Sequence, residues 1–188
     1  FQWGNHDIVW MGAATGNWAC ICNIIRMNIS YNNFDMLEIG YGINLRPLAT
    51  FAAKTYANDP CTAFAPHILD RNKFDPVDEE LAAKMHKAIA ICQFKAEGQR
   101  IMAHPEYKLE ERLLLDKIDY EKGTIEIEGK TYQLKDTNLP TVDPADPYKF
   151  TAEEEYMMNS LEASILQSEK LQKHIKFLYS HGALYTKV

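Results

Sequence analysis

The chain has 188 residues, of which 46% are hydrophobic and 24% charged, and its formal net charge at pH 7 is -6. This balance predicts a soluble globular domain and excludes a fibrous or largely disordered chain. The negative charge and the lack of a basic face disfavour nucleic acid and anionic membranes as partners. No apolar run reaches the roughly 18 residues that a membrane helix needs.

The N-terminal residues predict the end of a strand, a tight turn and one long helix. The apolar run of residues 1–3 stops at Gly4, and residues 7–31 carry apolar side chains nearly all round a helix. A helix that is apolar on every side is expected inside a larger body. Four small residues would let another backbone approach it closely: Gly12, Ala13, Ala14 and Gly16.

Two further helices are predicted before the middle of the chain. Residues 45–56 form the first, and the second begins at an Asp75 cap with Pro76 at its first position and ends before Pro105. On the second helix an apolar stripe faces one way, and four basic residues lie on the other side: Lys84, Lys87, Lys95 and Arg100. Residues 106–115 predict one more helical segment.

The pattern then changes to alternation, which predicts a three-stranded antiparallel meander over residues 117–134. Residues 136–150 contain three prolines and predict a linker. Thr151 and Glu154 form a capping box for a last helix that runs to about Gly182, followed by the start of a strand at residues 183–188. The predicted fold is therefore mainly α with a small antiparallel three-stranded sheet (α+β), as a fragment or insertion of a larger α/β protein.

The four cysteines predict reduced thiols and a cytoplasmic protein. Cys20, Cys22, Cys61 and Cys92 are too few and too scattered for a disulfide framework. Free thiols are typical of reducing compartments, and no secretory leader precedes the apolar stretch.

Residues 4–7 (Gly-Asn-His-Asp), here named the 4–7 turn, form the pattern best suited to chemistry. A strand-to-helix turn offers free amide hydrogens, which favour an anionic ligand. Asn5 could ligate a metal through its carbonyl oxygen, and His6 stands beside it. The alternative is that Asn5 and Asp7 only cap the helix and that His6 is incidental. These four residues alone leave both interpretations open.

The 4–7 turn resembles the third signature block of calcineurin-like metallophosphoesterases, in which an Asn ligates a metal and the next His is catalytic. Further stretches are similar to the class III fructose-1,6-bisphosphatases: residues 3–17 (WGNHDIVWMGAATGN), 41–47 (YGINLRP), 110–120 (EERLLLDKIDY), 129–134 (GKTYQL) and 168–171 (SEKL). The resemblance runs through nearly the whole chain and is far more specific than the tetrapeptide.

The resemblance implies hydrolysis of fructose 1,6-bisphosphate to fructose 6-phosphate and phosphate, in cytosolic gluconeogenesis with Mn²⁺. At the matching positions, Asn5 would bind one metal, and His6 would stabilise the transferring phosphoryl group or protonate the leaving oxygen, with Asp7 as a helper. Arg46 is the candidate for a contact with a substrate phosphate, because its guanidinium can bind two oxygen atoms at once. The alternative is that Arg46 forms an ion pair at the start of its helix.

The family's Asp-x-His and Gly-Asp-x-x-Asp-Arg blocks, and its downstream metal-binding histidines, have no match in the chain, so we expect the chain alone to be inactive. Residues 1–31 would then be the edge of a metallophosphatase core, 32–182 a helical insertion that caps it, and 183–188 the start of the next core strand. The rival functions are a metallophosphoesterase for phosphoproteins or nucleotides, and a non-enzymatic helical adaptor. The sequence leaves open whether the protein forms a homo-oligomer.

Overall fold

Within residues 3–68 and 78–181, which the computed structural model describes, helices dominate and one small sheet is present. The helices are α1 (Asn5–Ala13), α2 (Trp18–Ser30), α3 (Arg46–Thr55), α4 (Glu79–Ala103), α5 (Ala152–Leu166) and α6 (Glu169–His181). The strands are β1 (Ile118–Asp119), β2 (Thr124–Ile127) and β3 (Lys130–Gln133). The mainly helical prediction is confirmed. None of the described helices combines the length and apolar character that crossing a membrane requires.

The prediction of one helix over residues 7–31 is wrong, because the chain turns between α1 and α2. Gly16 has a φ of 84°, a left-handed conformation that glycine adopts without strain. Asn17 then caps α2 by accepting a hydrogen bond from the Cys20 N–H at 3.1 Å. At Gly12 the close neighbour is a side chain rather than the expected backbone, since an added Cβ would lie 2.5 Å from Cys20 Sγ.

The last predicted helix is likewise two helices, which meet at Ser168. The Ser168 hydroxyl donates to the Tyr41 carbonyl oxygen and accepts from the Leu171 N–H, so a contact from a distant loop fixes the start of α6. The Thr151 and Glu154 capping box at the start of α5 is confirmed. The two helices bury six apolar side chains: Met158, Leu161, Ile165, Leu171, Ile175 and Leu178.

Helix α4 crosses the centre of the molecule and packs against α2 and α3. In the described part it begins at Glu79, where the Asp78 carboxylate accepts from the Leu81 N–H at 2.9 Å. The expected cap at Asp75 and Pro76 lies outside the described residues. Residues 106–115 do not continue as a helical segment but form short 3₁₀ turns, Pro105–Tyr107 and Glu110–Arg112.

Two lysines of α4 are fully buried, which the sequence pattern does not indicate. Lys87 Nζ lies 2.7 Å from a carboxylate oxygen of Asp59 and 2.7 Å from one of Asp136. Burial acts to raise the pKa of Asp59, but the hydrogen bonds from Lys87, the Cys61 N–H and Asn138, together with the charge of Lys87, outweigh it and hold that pKa below its usual range. The paired charges tie the start of the 136–150 linker to α4.

The second buried pair joins Lys95 Nζ to Glu154 at 2.7 Å, with both side chains almost inaccessible to solvent. The same ammonium group donates to the Thr141 carbonyl oxygen at 2.6 Å. Because Lys87 and Lys95 are eight residues apart, they lie on similar faces of α4 and hold successive parts of the linker across it. The linker thus has a fixed path although it has no regular structure.

The sheet follows the predicted meander, with strand order β1-β2-β3 and both pairs antiparallel. Ile118 pairs with Ile125, and Ile125 with Tyr132. Ile125 is buried, whereas β3 is exposed along its whole length. The expected strand at residues 183–188 lies outside the described residues, as do residues 1 and 2 of the expected strand end.

Gly98 of α4 allows the linker to press directly on the helix. A Cβ added there would lie 2.1 Å from the Tyr148 ring, so we expect Gly98→Ala to cost about 1–3 kcal/mol of unfolding free energy through overpacking. Alanine is intrinsically favoured over glycine in a helix by about 1 kcal/mol, which acts in the opposite direction. The expected cost is the net value after this gain. Urea unfolding measures the difference.

Gly40→Ala is the matched control for this substitution, because the nearest atom to its added Cβ is the Asp35 carbonyl oxygen at an ordinary 3.6 Å. A Gly98→Ala protein as stable as the Gly40→Ala protein would show that the Tyr148 ring moves aside without cost.

All four cysteines are free thiols in the structure. Burial raises the pKa of the Cys22 and Cys92 thiols well above the usual value. Thiols of this kind are poor nucleophiles, so these two residues act as small core side chains.

Candidate active site

The 4–7 turn starts α1, and Gly4 is its N-terminal cap in an extended conformation. Asp7 lies in the first turn of the helix, where its Oδ2 atom accepts a hydrogen bond from the Gly4 N–H at 2.8 Å. This contact satisfies one amide and places a negative charge at the positive end of the helix dipole. The capping interpretation therefore holds for Asp7, and any catalytic role would be additional to it.

We expect Asp7→Ala to lower the unfolding free energy by about 0.5–2 kcal/mol, because the Gly4 N–H loses its acceptor and the helix loses its first-turn charge. The measurement is urea unfolding of the 188-residue chain. His6→Ala, one residue earlier on the same exposed turn, should change stability by less than about 0.5 kcal/mol. Equal losses in the two variants would contradict the capping role.

Asn5 and His6 point into solvent from the first turn of α1. No hydrogen bond or ion pair joins either side chain to the rest of the described chain. His6 also borders a small pocket of about 130 Å³, whose other lining residues come from α1, α2 and the turn after α2: Val9, Trp10, Asn23, Ile24, Met27, Asn28 and Met36. Both functional groups are thus available to a reactant that approaches the turn from outside.

Helix α6 braces the turn from one side. The Trp3 indole N–H donates to the Leu178 carbonyl oxygen at 3.0 Å. Trp10 packs on the Tyr41 ring at 5.0 Å, and the Tyr41 hydroxyl lies 2.7 Å from His174 Nδ1 on α6. Sequence reasoning assigned no role to Tyr41, although it begins the YGINLRP stretch. These contacts fix the direction in which α1 presents Asn5 and His6.

The other histidines have structural partners. His174 is held by Tyr41, and His181 stacks on Phe177 at 4.3 Å. His86 Nδ1 lies 2.8 Å from the Phe64 carbonyl oxygen, and burial lowers the pKa of His86. These partners explain the positions of the three rings without a metal.

Among residues 3–68 and 78–181, no three His, Cys, Asp or Glu side chains lie close enough together to hold a metal ion. The 4–7 turn offers one amide oxygen, one imidazole and one carboxylate, and the carboxylate already serves as a helix cap. Two-metal sites need several ligands around each of two ions a few ångströms apart. The donors present do not fit a complete two-metal centre, and Asn5 supplies at most one ligand of it.

Arg46 is the first residue of α3, and its backbone N–H donates to Asn44 Oδ1 at 3.0 Å. Its side chain is exposed and borders a groove of about 530 Å³ that shares no lining residue with the pocket at His6. The structure therefore does not bring Arg46 together with the 4–7 turn in one cavity. The alternative ion pair at the helix start is also not formed with any described residue.

Comparison with known proteins covers the whole chain. Residues 1–188 match the family described as Firmicute fructose-1,6-bisphosphatase. A fructose-1,6-bisphosphatase class 3 of Clostridium tetani (strain Massachusetts / E88) is 60% identical over 184 residues, which are 98% of this chain and 28% of that protein. The protein of the same description from Alkaliphilus metalliredigens (strain QYMF) is 54% identical over 186 residues, 99% of this chain and 28% of its own length. No solved structure matches the chain.

The chain thus spans only 28% of the length of these curated relatives.

Proposed function

Because the chain belongs to the Firmicute fructose-1,6-bisphosphatase family, we propose that it is part of a metal-dependent enzyme that hydrolyses fructose 1,6-bisphosphate to fructose 6-phosphate and phosphate. The observation that carries this proposal is the match over residues 1–188, together with identities of 53% and higher to relatives of that description. The non-enzymatic adaptor has no comparable support. We further propose a cytoplasmic role in gluconeogenesis.

In this proposal Asn5 supplies its amide oxygen to one metal of a pair, and His6 holds a proton for the leaving oxygen or stabilises the phosphoryl group. A bound pair such as Mn²⁺ would lower the pKa of a water molecule and neutralise charge on the phosphate oxygens. The exposed position of both side chains at the start of a braced helix supports these roles. Asp7 contributes by fixing the turn. A contact of Arg46 with a substrate phosphate stays a prediction.

The helical body would flank the active-site cleft and control substrate access, sugar selectivity and subunit contacts. Its fixed linker and buried ion pairs support a rigid flank rather than a loose one. Since the described residues hold no complete metal site, the 188-residue chain alone should be inactive. Contacts between copies through the exposed side of α1, where Ile8 is 55% accessible, belong to the same proposal.

The test is a substrate panel with the full-length gene product in Mn²⁺. We expect kcat/KM for fructose 1,6-bisphosphate to exceed that for a phosphoserine peptide and for adenosine monophosphate by about a hundredfold or more, since a site that binds a polar sugar rejects ligands that leave its groups unpaired. Removal of the metal by a chelator should abolish phosphate release, and Mn²⁺ should restore it. A preference for the phosphopeptide or the nucleotide would overturn the sugar substrate.

A further inference from the structure

A groove between α3 and α5 shares no lining residue with the pocket at His6. Its volume is about 530 Å³, which falls in the range of small-molecule sites. The walls are mainly apolar: Pro47 and Phe51 from α3, and Tyr156 and Met157 from α5. Phe51 and Met157 are buried, whereas Tyr156 is 76% accessible. A large, exposed aromatic ring beside a buried apolar floor is a surface that a ligand could cover.

Two basic residues from opposite ends of α3 line this groove. Arg46 is in the first turn of α3 and Lys54 in its last turn, and both line the cavity. Eight residues of α-helix separate them by about 12 Å. Neither forms an ion pair with the described residues, and Glu153 is the one carboxylate among the lining side chains. The groove therefore has a positive excess in a chain whose net charge is -6.

The Arg46 end is the stronger position for an acidic group. Its guanidinium can pair two oxygens at once, and the N-terminal end of α3 adds a positive partial charge. The Phe51 and Met157 side chains would then face the rest of the ligand, with Lys54 at the other end of α3. A hydrophilic anion would leave this apolar floor unused, and a neutral apolar compound would leave both cations unpaired.

We propose that this groove binds a small organic anion with an apolar body. The acidic group pairs with Arg46, and the body lies on Phe51 and Met157 beneath Tyr156. The volume of the groove and the cations at both ends of α3 favour a molecule of this kind over a longer peptide segment. The site is independent of the 4–7 turn, so metal and sugar phosphate are not needed for binding.

The experiment is a fluorescence titration of the full-length gene product, without metal, with anilinonaphthalene sulfonate, an aromatic anion that brightens in apolar surroundings. The Arg46→Met and Lys54→Met double variant should weaken binding by about tenfold or more, since charge-assisted contacts are lost while the apolar walls remain. The matched control is Lys130→Met with Lys149→Met, which removes the same charge from two exposed positions elsewhere and should leave the affinity unchanged.

Competition identifies the ligand class. Decanoate, which has both an apolar body and a carboxylate, should displace the probe, whereas acetate and decyltrimethylammonium should not. Equal affinity of the two double variants would overturn the proposal, because the probe would then lie elsewhere. Displacement by fructose 1,6-bisphosphate would also overturn it and would make the groove part of the substrate site, in line with the expected role of Arg46.

Discussion

Replacing His6 with alanine is expected to lower kcat for fructose 1,6-bisphosphate by about 10²–10⁴-fold in the full-length gene product, the usual cost of losing a general acid or base. The imidazole is exposed on the first turn of α1 and makes no hydrogen bond or ion pair within the described chain. Its removal should therefore change kcat without changing stability. Phosphate release at saturating substrate and Mn²⁺ measures the effect.

His67→Ala is the matched control, since that ring is also exposed and lies outside the 4–7 turn. It should keep the activity of the unchanged protein. Urea unfolding should show both variants within about 0.5 kcal/mol of the parent, because neither ring is buried. A loss of kcat smaller than about tenfold for His6→Ala would remove His6 from the proposed reaction.

The second large effect concerns the buried ion pair between Lys95 of α4 and Glu154 of α5. Lys95→Ala leaves Glu154 buried with its main charged partner gone, and breaking such a pair costs roughly 3–5 kcal/mol. It also removes the donor to the Thr141 carbonyl oxygen. We expect the unfolding free energy of the 188-residue chain, measured in urea, to fall by that amount. Lys149→Ala, at an exposed position, should stay within about 0.5 kcal/mol of the unchanged chain.

A second variant separates buried charge from lost packing. In the background of Lys95→Met, Glu154→Gln removes the uncompensated charge and keeps an acceptor for the Thr151 N–H, which Glu154 binds at 2.8 Å. This double variant should recover stability relative to Lys95→Met with Glu154 unchanged. If it is no more stable, desolvated charge is not the source of the loss.

The parts of the fold that the sequence predicts are those decided by neighbouring residues. The Thr151 and Glu154 capping box, helix α3 and the alternating strands of the meander depend on contacts a few residues long, and all three are confirmed. The two missed helix breaks differ in kind. Gly16 is a local signal that the apolar pattern around it concealed, whereas the start of α6 depends on Tyr41, far away in the chain.

The buried lysines show why the remainder was not predictable. Lys87 and Lys95 look like ordinary polar positions of a helix, and their burial depends on carboxylates at positions 59, 136 and 154 that only the tertiary fold brings near. No pattern within α4 contains that information. The pairs become visible only when the linker is placed across the helix.

In the candidate site, too, some roles are decided by neighbouring residues and others by the tertiary fold. The capping role of Asp7 is local and was one of the two interpretations of the 4–7 turn. The roles of Asn5 and His6 depend on groups that the described residues do not contain, so those roles remain predictions. The position of Arg46 in a separate groove is a tertiary property, and the chemical suitability of a guanidinium for phosphate gave no indication of it.

Phosphate release from fructose 1,6-bisphosphate in Mn²⁺, compared between the full-length gene product and the isolated 188-residue chain, tests the central claim most directly. We expect hydrolysis by the full-length protein and none by the chain alone, because residues 3–68 and 78–181 include Asn5 and His6 but hold no complete metal site. Hydrolysis by the isolated chain, or a full-length protein that does not cleave the sugar bisphosphate, would contradict it.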